Sequence, residues 1–293
     1  MLAHAHKTSR ESMKNAKIPY WLVLKYYGPR LLVVSLIWFI YDVSLIRSGN
    51  TAIQLTFHQF STYSFGIFSS TILSNILPKD ASLARSFGWN TVINLFYIPG
   101  AILGSFFSDM VGPRYALVIG VTLQGLVGFL MAGLYPTLAK PGNVGGFAVV
   151  YGIFLSLGEL GPGDNIGLLA SKTCATGVRG QYYAIAAAVG KIGAFVGTYI
   201  FPYIEKAGGS DTNASAQYPF YVSSALCLFS AIIAFAFIPQ IGQDTITMED
   251  IRFREYLERH GWDTRQLGLG KEGMEVESTG ALATGRDWIV QKE

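Results

Sequence analysis

The chain has 293 residues, 51% of them hydrophobic and 14% charged, with a net charge of +3. Soluble domains carry about 25% charged residues. The shortfall excludes a disordered regulator, a coiled coil and a basic nucleic-acid binder, and it leaves too few polar residues to cover a soluble enzyme. Glycine is abundant, at 33 residues without a collagen-like period, as suits closely packed membrane helices. Cys174 and Cys227 give no disulfide framework. The composition is that of an all-α membrane protein.

Residues 1–20 contain Lys7, Arg10, Lys14 and Lys17 without an apolar core, so no cleavable signal peptide is expected. Six apolar stretches follow: an interrupted one over Leu31–Leu77, then Trp89–Ser108, Tyr115–Tyr135, Gly145–Ala170, Tyr182–Ile204 and Phe220–Ile238. Crossing the hydrocarbon core takes about 20 apolar residues, and the last five stretches meet that. The domain reading is a basic segment 1–28, a six-helix membrane region 29–240, and a polar tail 241–293. In that tail Met248–Arg265 predicts an amphipathic helix, and the Gly-rich remainder is expected to be poorly ordered.

Lys and Arg are distributed unevenly among the connecting segments. Residues 1–30, Arg114, the pair Lys172 and Arg179, and the residues after Ile241 belong to one side and hold most of them; Lys79, Arg85, Lys140 and Lys206 face the other. By the positive-inside rule both termini are expected in the cytoplasm, which needs an even number of spans. Asn213-Ala214-Ser215 then lies outside as a weak glycosylation acceptor.

The first stretch is anomalous. Leu31–Asp42 is only twelve residues, too short to span, and the polar Val43–Gln59 separates it from Phe60–Leu77. Deleting those seventeen residues joins Trp38–Asp42 to Phe60–Ser64 in one apolar segment and keeps the count at six. Val43-Ser44 can be encoded GTAAGT, an intron donor. Leu55–Gln59 can be encoded as a branch-point sequence followed by an acceptor CAG. Seventeen codons form a short in-frame fungal intron, so a retained intron is one reading of Val43–Gln59, and an external insertion is the other.

The ionisable residues inside apolar stretches stand out. A carboxylate at mid-span, such as Asp42, costs about 2.5–3.5 kcal/mol on insertion scales. Trp38 lies one turn before it, and Tyr63 one turn after it once the insertion is removed. Lys191 sits ten residues into an otherwise uncharged stretch, where an ammonium can meet phosphate oxygens as a point charge. Gly161, Pro162 and Gly163 can break a helix beside Glu159, Asp164 and Asn165. Tyr97, Tyr151 and Gln124 read as packing or interfacial residues. No paired catalytic constellation, nucleotide loop or metal motif is present, so neither an enzyme nor a cofactor is expected.

The run Gly104-Ser105-Phe106-Phe107-Ser108-Asp109-Met110-Val111-Gly112-Pro113-Arg114 resembles the cytoplasmic loop signature of the major facilitator superfamily, with Pro113 where a basic residue is commoner. A carboxylate and a guanidinium in such a loop can clamp helix ends in one access state. The runs Trp38–Asp42 with Phe60–Ser70, Gly158–Asn165 and Ala186–Gly193 resemble the phosphate:proton symporter group, most closely its fungal glycerophosphodiester (glycerophosphoinositol) permease branch. The likeness takes in nearly the whole chain except Val43–Gln59 and the last twenty or so residues. It implies the C-terminal six-helix half of a twelve-helix plasma-membrane transporter, with the missing N-terminal half or another copy needed to complete the path.

It further implies that Trp38, Asp42, Tyr63, Lys191 and Asn165 bind a phosphate-bearing solute. Asp42 and Glu159 then couple protons, and Gly104, Asp109, Gly112 and Arg114 form the gating loop. The inorganic-phosphate branch carries Gly-Pro-Asn where this chain has Gly-Pro-Gly-Asp-Asn, and the extra carboxylates suit a hydroxylated headgroup. An inorganic phosphate symporter half and a non-transporting membrane receptor are the alternatives.

Overall fold

A computed structural model describes residues 19–44, 77, 82–140, 142–239, 241–242, 245–262 and 264, and among them the chain is helical without a strand. Helix α1, Tyr20–Ser44, is 25 residues long and carries Pro29 inside. Its segment Tyr20–Asp42 is by itself long and apolar enough to cross a bilayer. This corrects the expectation that the first span begins at Leu31 and is too short alone. Trp21–Leu24 extend the apolar run past Lys25, Pro29 and Arg30, because long basic side chains can lie along a helix with their heads at the membrane boundary and a proline in a membrane helix is tolerated. Val43 and Ser44 complete the last turn of α1. The remainder of Val43–Gln59, and Tyr63, lie outside the described residues.

Ser82 caps α2, Leu83–Leu95, by accepting from the Arg85 N–H. A turn at Phe96 separates α2 from α3, Tyr97–Val111. Pro99 explains the interruption, since it has no N–H to offer the carbonyl one turn back. Gly112, at φ +86°, ends α3 and leads directly into α4, Pro113–Leu138, with the proline in the first turn. Only glycine reaches that backbone region without strain, and proline suits the first helical position, whose N–H needs no helical partner.

Helix α5, Val144–Gly158, runs into a π-helical turn, Glu159–Gly163, and on into α6, Asp164–Lys172. The expected break at Gly161-Pro162-Gly163 is therefore a widened turn. Helices α7, Arg179–Lys206, and α8, Thr212–Phe237, complete the membrane region. Asp211 caps α8 through the N–H groups of Asn213 and Ala214, which puts the exposed Asn213 in its first turn. Among the described residues, five segments are long and apolar enough to cross a membrane: Tyr20–Asp42, Leu83–Val111, Pro113–Leu138, Val144–Lys172 and Asn213–Phe237. Helix α7 has the length to do so, at 28 residues.

Small residues set how closely these helices approach. A Cβ on Gly161 would lie 2.7 Å from the Gly120 Cα, and one on Gly193 would run into the backbone of Phe39. Backbone contacts of this kind supply the dispersion that holds membrane helices together where lipid is as apolar as leucine. Phe147, Tyr151, Phe154 and Phe220 fill the interior between α5 and α8.

The chain divides into two compact units, Gly28–Ile246 and Met1–Tyr27 with Thr247–Glu293. In the latter, helix α9, Thr245–Arg259, buries Glu249, Phe253 and Leu257 along one face, the amphipathic pattern expected of it. The Phe253 ring packs 5.0 Å from Tyr27 and 5.6 Å from Tyr26. The Gly-rich remainder of the tail, with the expectation of poor order made for it, falls outside the described residues.

Candidate functional site

The buried face of α1 is built from Val34, Ile37, Trp38, Ile40, Tyr41 and Asp42. Trp38 and Asp42, one turn apart, both face inward. Opposite them α7 presents Gly190 and Lys191. Gly190 has no side chain, and the Trp38 indole occupies the space where one would stand; Tyr183 closes on the same indole edge-on, at 5.6 Å between ring centres. This packing brings Lys191 Nζ to 3.9 Å from Asp42 Oδ2.

The two partners differ in environment. The Asp42 side chain is 0% exposed and that of Lys191 45%. Neither carboxylate oxygen of Asp42 has a hydrogen-bond partner among the described residues. At 3.9 Å the pair is a loose charge contact, longer than a charge-assisted hydrogen bond of about 2.7–2.9 Å. The carboxylate is buried and the ammonium is accessible, so the pair is unequal in its contact with the surroundings.

Asn165 is treated in the opposite way. It is fully buried, its Nδ2 donates to the carbonyls of Gly161 (2.8 Å) and Leu160 (3.3 Å), and its Oδ1 accepts from Ser108 Oγ (2.7 Å). The amide satisfies carbonyls freed by the π turn and ties that turn to the end of α3. Glu159 is half-buried at the start of the same turn, where its carboxylate stands beside Gly163. Asp164 places its carboxylate against Gly104, and its Oδ2 has no hydrogen-bond partner among the described residues.

The loop signature separates into different jobs. Gly104 is a packing contact against Leu160 and Asp164, and Gly112 makes the tight turn. Arg114 Nη2 donates to the Phe235 carbonyl at 2.6 Å in the last turn of α8, and its guanidinium lies 5.4 Å from the rings of both Tyr115 and Phe235. Asp109 is exposed and in no ion pair among the described residues. A cleft of about 210 Å³ opens beside this arginine between Val111, Tyr115 and Ile241.

Residue types alone hide one feature. Gln124, read above as packing, is 0% exposed, and its Nε2 has no partner among the described residues. It stands over Gly158, where Tyr41 donates a hydrogen bond to the carbonyl at 3.3 Å. The available signal was a lone amide in the apolar stretch Tyr115–Tyr135, since polar groups inside membrane helices are costly.

Glycine-mediated helix contacts thus enclose a buried carboxylate that has no hydrogen bond among the described residues, with an accessible lysine beside it, inside a bundle of apolar helices long enough to cross a membrane. The chain belongs to the sugar (and other) transporter family of the major facilitator superfamily, whose sequence pattern matches residues 43–251. It is similar to the glycerophosphocholine permease of Candida albicans, 49% identical over 288 residues covering 97% of this chain and 50% of the permease. The major glycerophosphoinositol permease of the same organism is 51% identical over 269 residues, 90% of this chain and 46% of its own. A glycerophosphodiester transporter of that organism is 51% identical over 270 residues, 90% and 47% respectively. The chain thus spans about half the length of the curated relatives it matches. Coverage of 97% also carries the likeness into the last twenty residues, further than the motifs reach.

Proposed function

We propose that this chain is one half of a proton-coupled importer of glycerophosphodiesters, with a phosphate ester bound at Lys191 and a proton carried by Asp42. The observation behind this reading is the pair itself: a carboxylate sealed from solvent, without a hydrogen bond among the described residues, 3.9 Å from a half-exposed ammonium. With the proton on Asp42, Lys191 loses its counter-charge and attracts the phosphate diester. With the proton released, the carboxylate competes with the phosphate and favours its departure. Substrate and proton therefore bind together, the condition for symport. Trp38 walls the site, Tyr63 is assigned to solute binding by its motif alone, and Glu159 is a second proton group. The Arg114 contact to α8 holds one access state.

The membrane half is placed at 29–240, with segments 1–28 and 241–293 on the cytoplasmic face of the plasma membrane. A second six-helix half supplies the opposite wall, since alternating access rocks one half against the other around a midplane site. The activity is transport, not catalysis. Uptake of labelled glycerophosphoinositol by the full-length transporter in proteoliposomes, with and without an inward proton gradient, tests the reading. Accumulation only with the gradient supports it, and gradient-independent equilibration overturns the coupling. Uptake by this 293-residue chain alone at full-length rates overturns the need for a second half. Messenger reads that retain the codons of Val43–Gln59 in most mature transcripts would refute the retained intron.

A further inference from the structure

Asp42 and Glu159 reside on different helices, yet each directly follows a residue that meets the other. Tyr41 precedes Asp42 on α1, and Gly158 precedes Glu159 at the head of the π turn. The Tyr41 hydroxyl donates to the Gly158 carbonyl at 3.3 Å, a buried bond between segments 117 residues apart in sequence. Pro162 explains why the helix widens at that carbonyl. In an α-helix the Gly158 carbonyl accepts from the N–H four residues on, and position 162 is a proline with none to give. The turn widens, and a hydroxyl from another helix supplies a donor.

Gln124 converges on the same spot from α4. A Cβ on Gly158 would lie 2.8 Å from Gln124 Nε2 and 3.3 Å from the Tyr41 hydroxyl, so both donors face a place that glycine alone keeps open. The other edge of the amide lies 4.0 Å from the Cys227 thiol of α8. Four helices therefore meet at one polar point in the interior. Burying an amide without using its N–H groups is expensive, and a contact of this kind is better supported by a role than by packing alone.

We propose that Tyr41, the Gly158 carbonyl and Gln124 form a coupling contact through which the Asp42 and Glu159 positions move together. This rests on the proton-coupled reading of the site. Tyr41 and Gln124 are positioning residues here: neither touches the solute. The charged and titratable groups around the contact are Asp42 on α1, Lys191 from α7 facing Asp42, Glu159 with Tyr97 of α3 beside it, and Cys227 from α8. A change of charge at Asp42 alters its attraction to Lys191 and shifts the end of α1. The Tyr41 bond passes that shift to the first carbonyl of the π turn, and so to Glu159. A π turn is suited to respond, because its hydrogen bonds sit between two registers.

The test separates coupling from binding in the full-length transporter. Exchange of labelled for unlabelled glycerophosphoinositol reorients the loaded site without net proton release, whereas accumulation against a gradient requires release on every cycle. Tyr41→Phe keeps the ring and deletes only the hydroxyl; Gln124→Met keeps the length and deletes only the amide. Each is expected to leave exchange within about twofold of wild type and to reduce gradient-driven accumulation about tenfold. Exchange and accumulation falling in parallel would reduce the contact to packing and overturn the inference, as would accumulation unchanged in both variants. Wild-type protein that does not accumulate solute under a proton gradient would overturn the coupled reading itself, a failure visible before any variant is made.

Discussion

Asp42 and Asn165 are both sealed from solvent, at 1% and 0% exposure, yet their polar atoms meet opposite treatment. Asn165 spends its amide on two carbonyls and a hydroxyl, joining the π turn to α3. Asp42 has no hydrogen bond among the described residues and only a loose contact with Lys191. Buried polar groups in native proteins are nearly always satisfied, so the first arrangement is the ordinary solution to burial. The second leaves free energy unrealised, and in a membrane that cost is large enough to require a use. The same interior thus holds a region whose polar atoms are satisfied and a region whose carboxylate has no hydrogen bond among the described residues.

The largest expected effect falls on Asp42. Asp42→Asn in the full-length transporter should abolish gradient-driven accumulation while the protein still reaches the membrane in normal amount, as a surface-labelling assay would show. Unaltered accumulation at acidic pH would erase the distinction between the two regions. Next comes Lys191→Gln, which removes the accessible cation facing Asp42. Binding of glycerophosphoinositol should weaken about 10–100-fold, the worth of a charge-assisted bond, in a direct binding assay on purified protein. An unchanged Kd would make the lysine a partner for Asp42 alone.

Asn165 sharpens the contrast from the other side. Asn165→Ala removes the acceptor of the Ser108 hydroxyl and the amide donor to two carbonyls of the π turn and should cost about 1–3 kcal/mol of stability, read as a lower unfolding temperature in detergent, with KM for the solute unchanged. A raised KM at wild-type stability would move Asn165 into the binding site. Gly161→Ala drives a methyl into the backbone of Gly120 and should destabilise by about 1–3 kcal/mol through overpacking, by the same melting assay. Arg114→Ala, which loses one bond to the Phe235 carbonyl, is expected to be the mildest, at about 0.5–1.5 kcal/mol. Its sharper readout is a changed ratio of inward-open to outward-open protein in accessibility labelling.

Much of the site could be read before the fold was known, because charge inside an apolar stretch is visible in one dimension. Asp42 and Lys191 announced themselves that way, and Trp38 followed from helical spacing. Arg114 and Gly112 were carried by a motif whose geometry is local: a turn, a first-position proline and an arginine within reach of a neighbouring helix end. Tyr41 and Gln124 were not legible. A tyrosine beside an aspartate and a lone glutamine in a membrane helix have many uses, and only the meeting of α1, α4 and α5 selects one. The start of α1 was misjudged because Lys25, Pro29 and Arg30 look like punctuation, whereas a membrane helix can carry them near one end.

By itself, the sequence determined that the chain is helical and lives in a membrane, since burying twenty-residue apolar stretches in water has no stable alternative. It also determined which groups are too costly to be accidental. Tertiary structure alone decided how each cost is met. A hydrogen bond depends on where two helices touch to within about half an ångström, and contacts such as Tyr41 to Gly158 join residues 117 positions apart, a separation over which no periodicity in the chain carries information. Whether a buried polar residue is hydrogen-bonded, like Asn165, or only loosely paired, like Asp42, is therefore settled by packing.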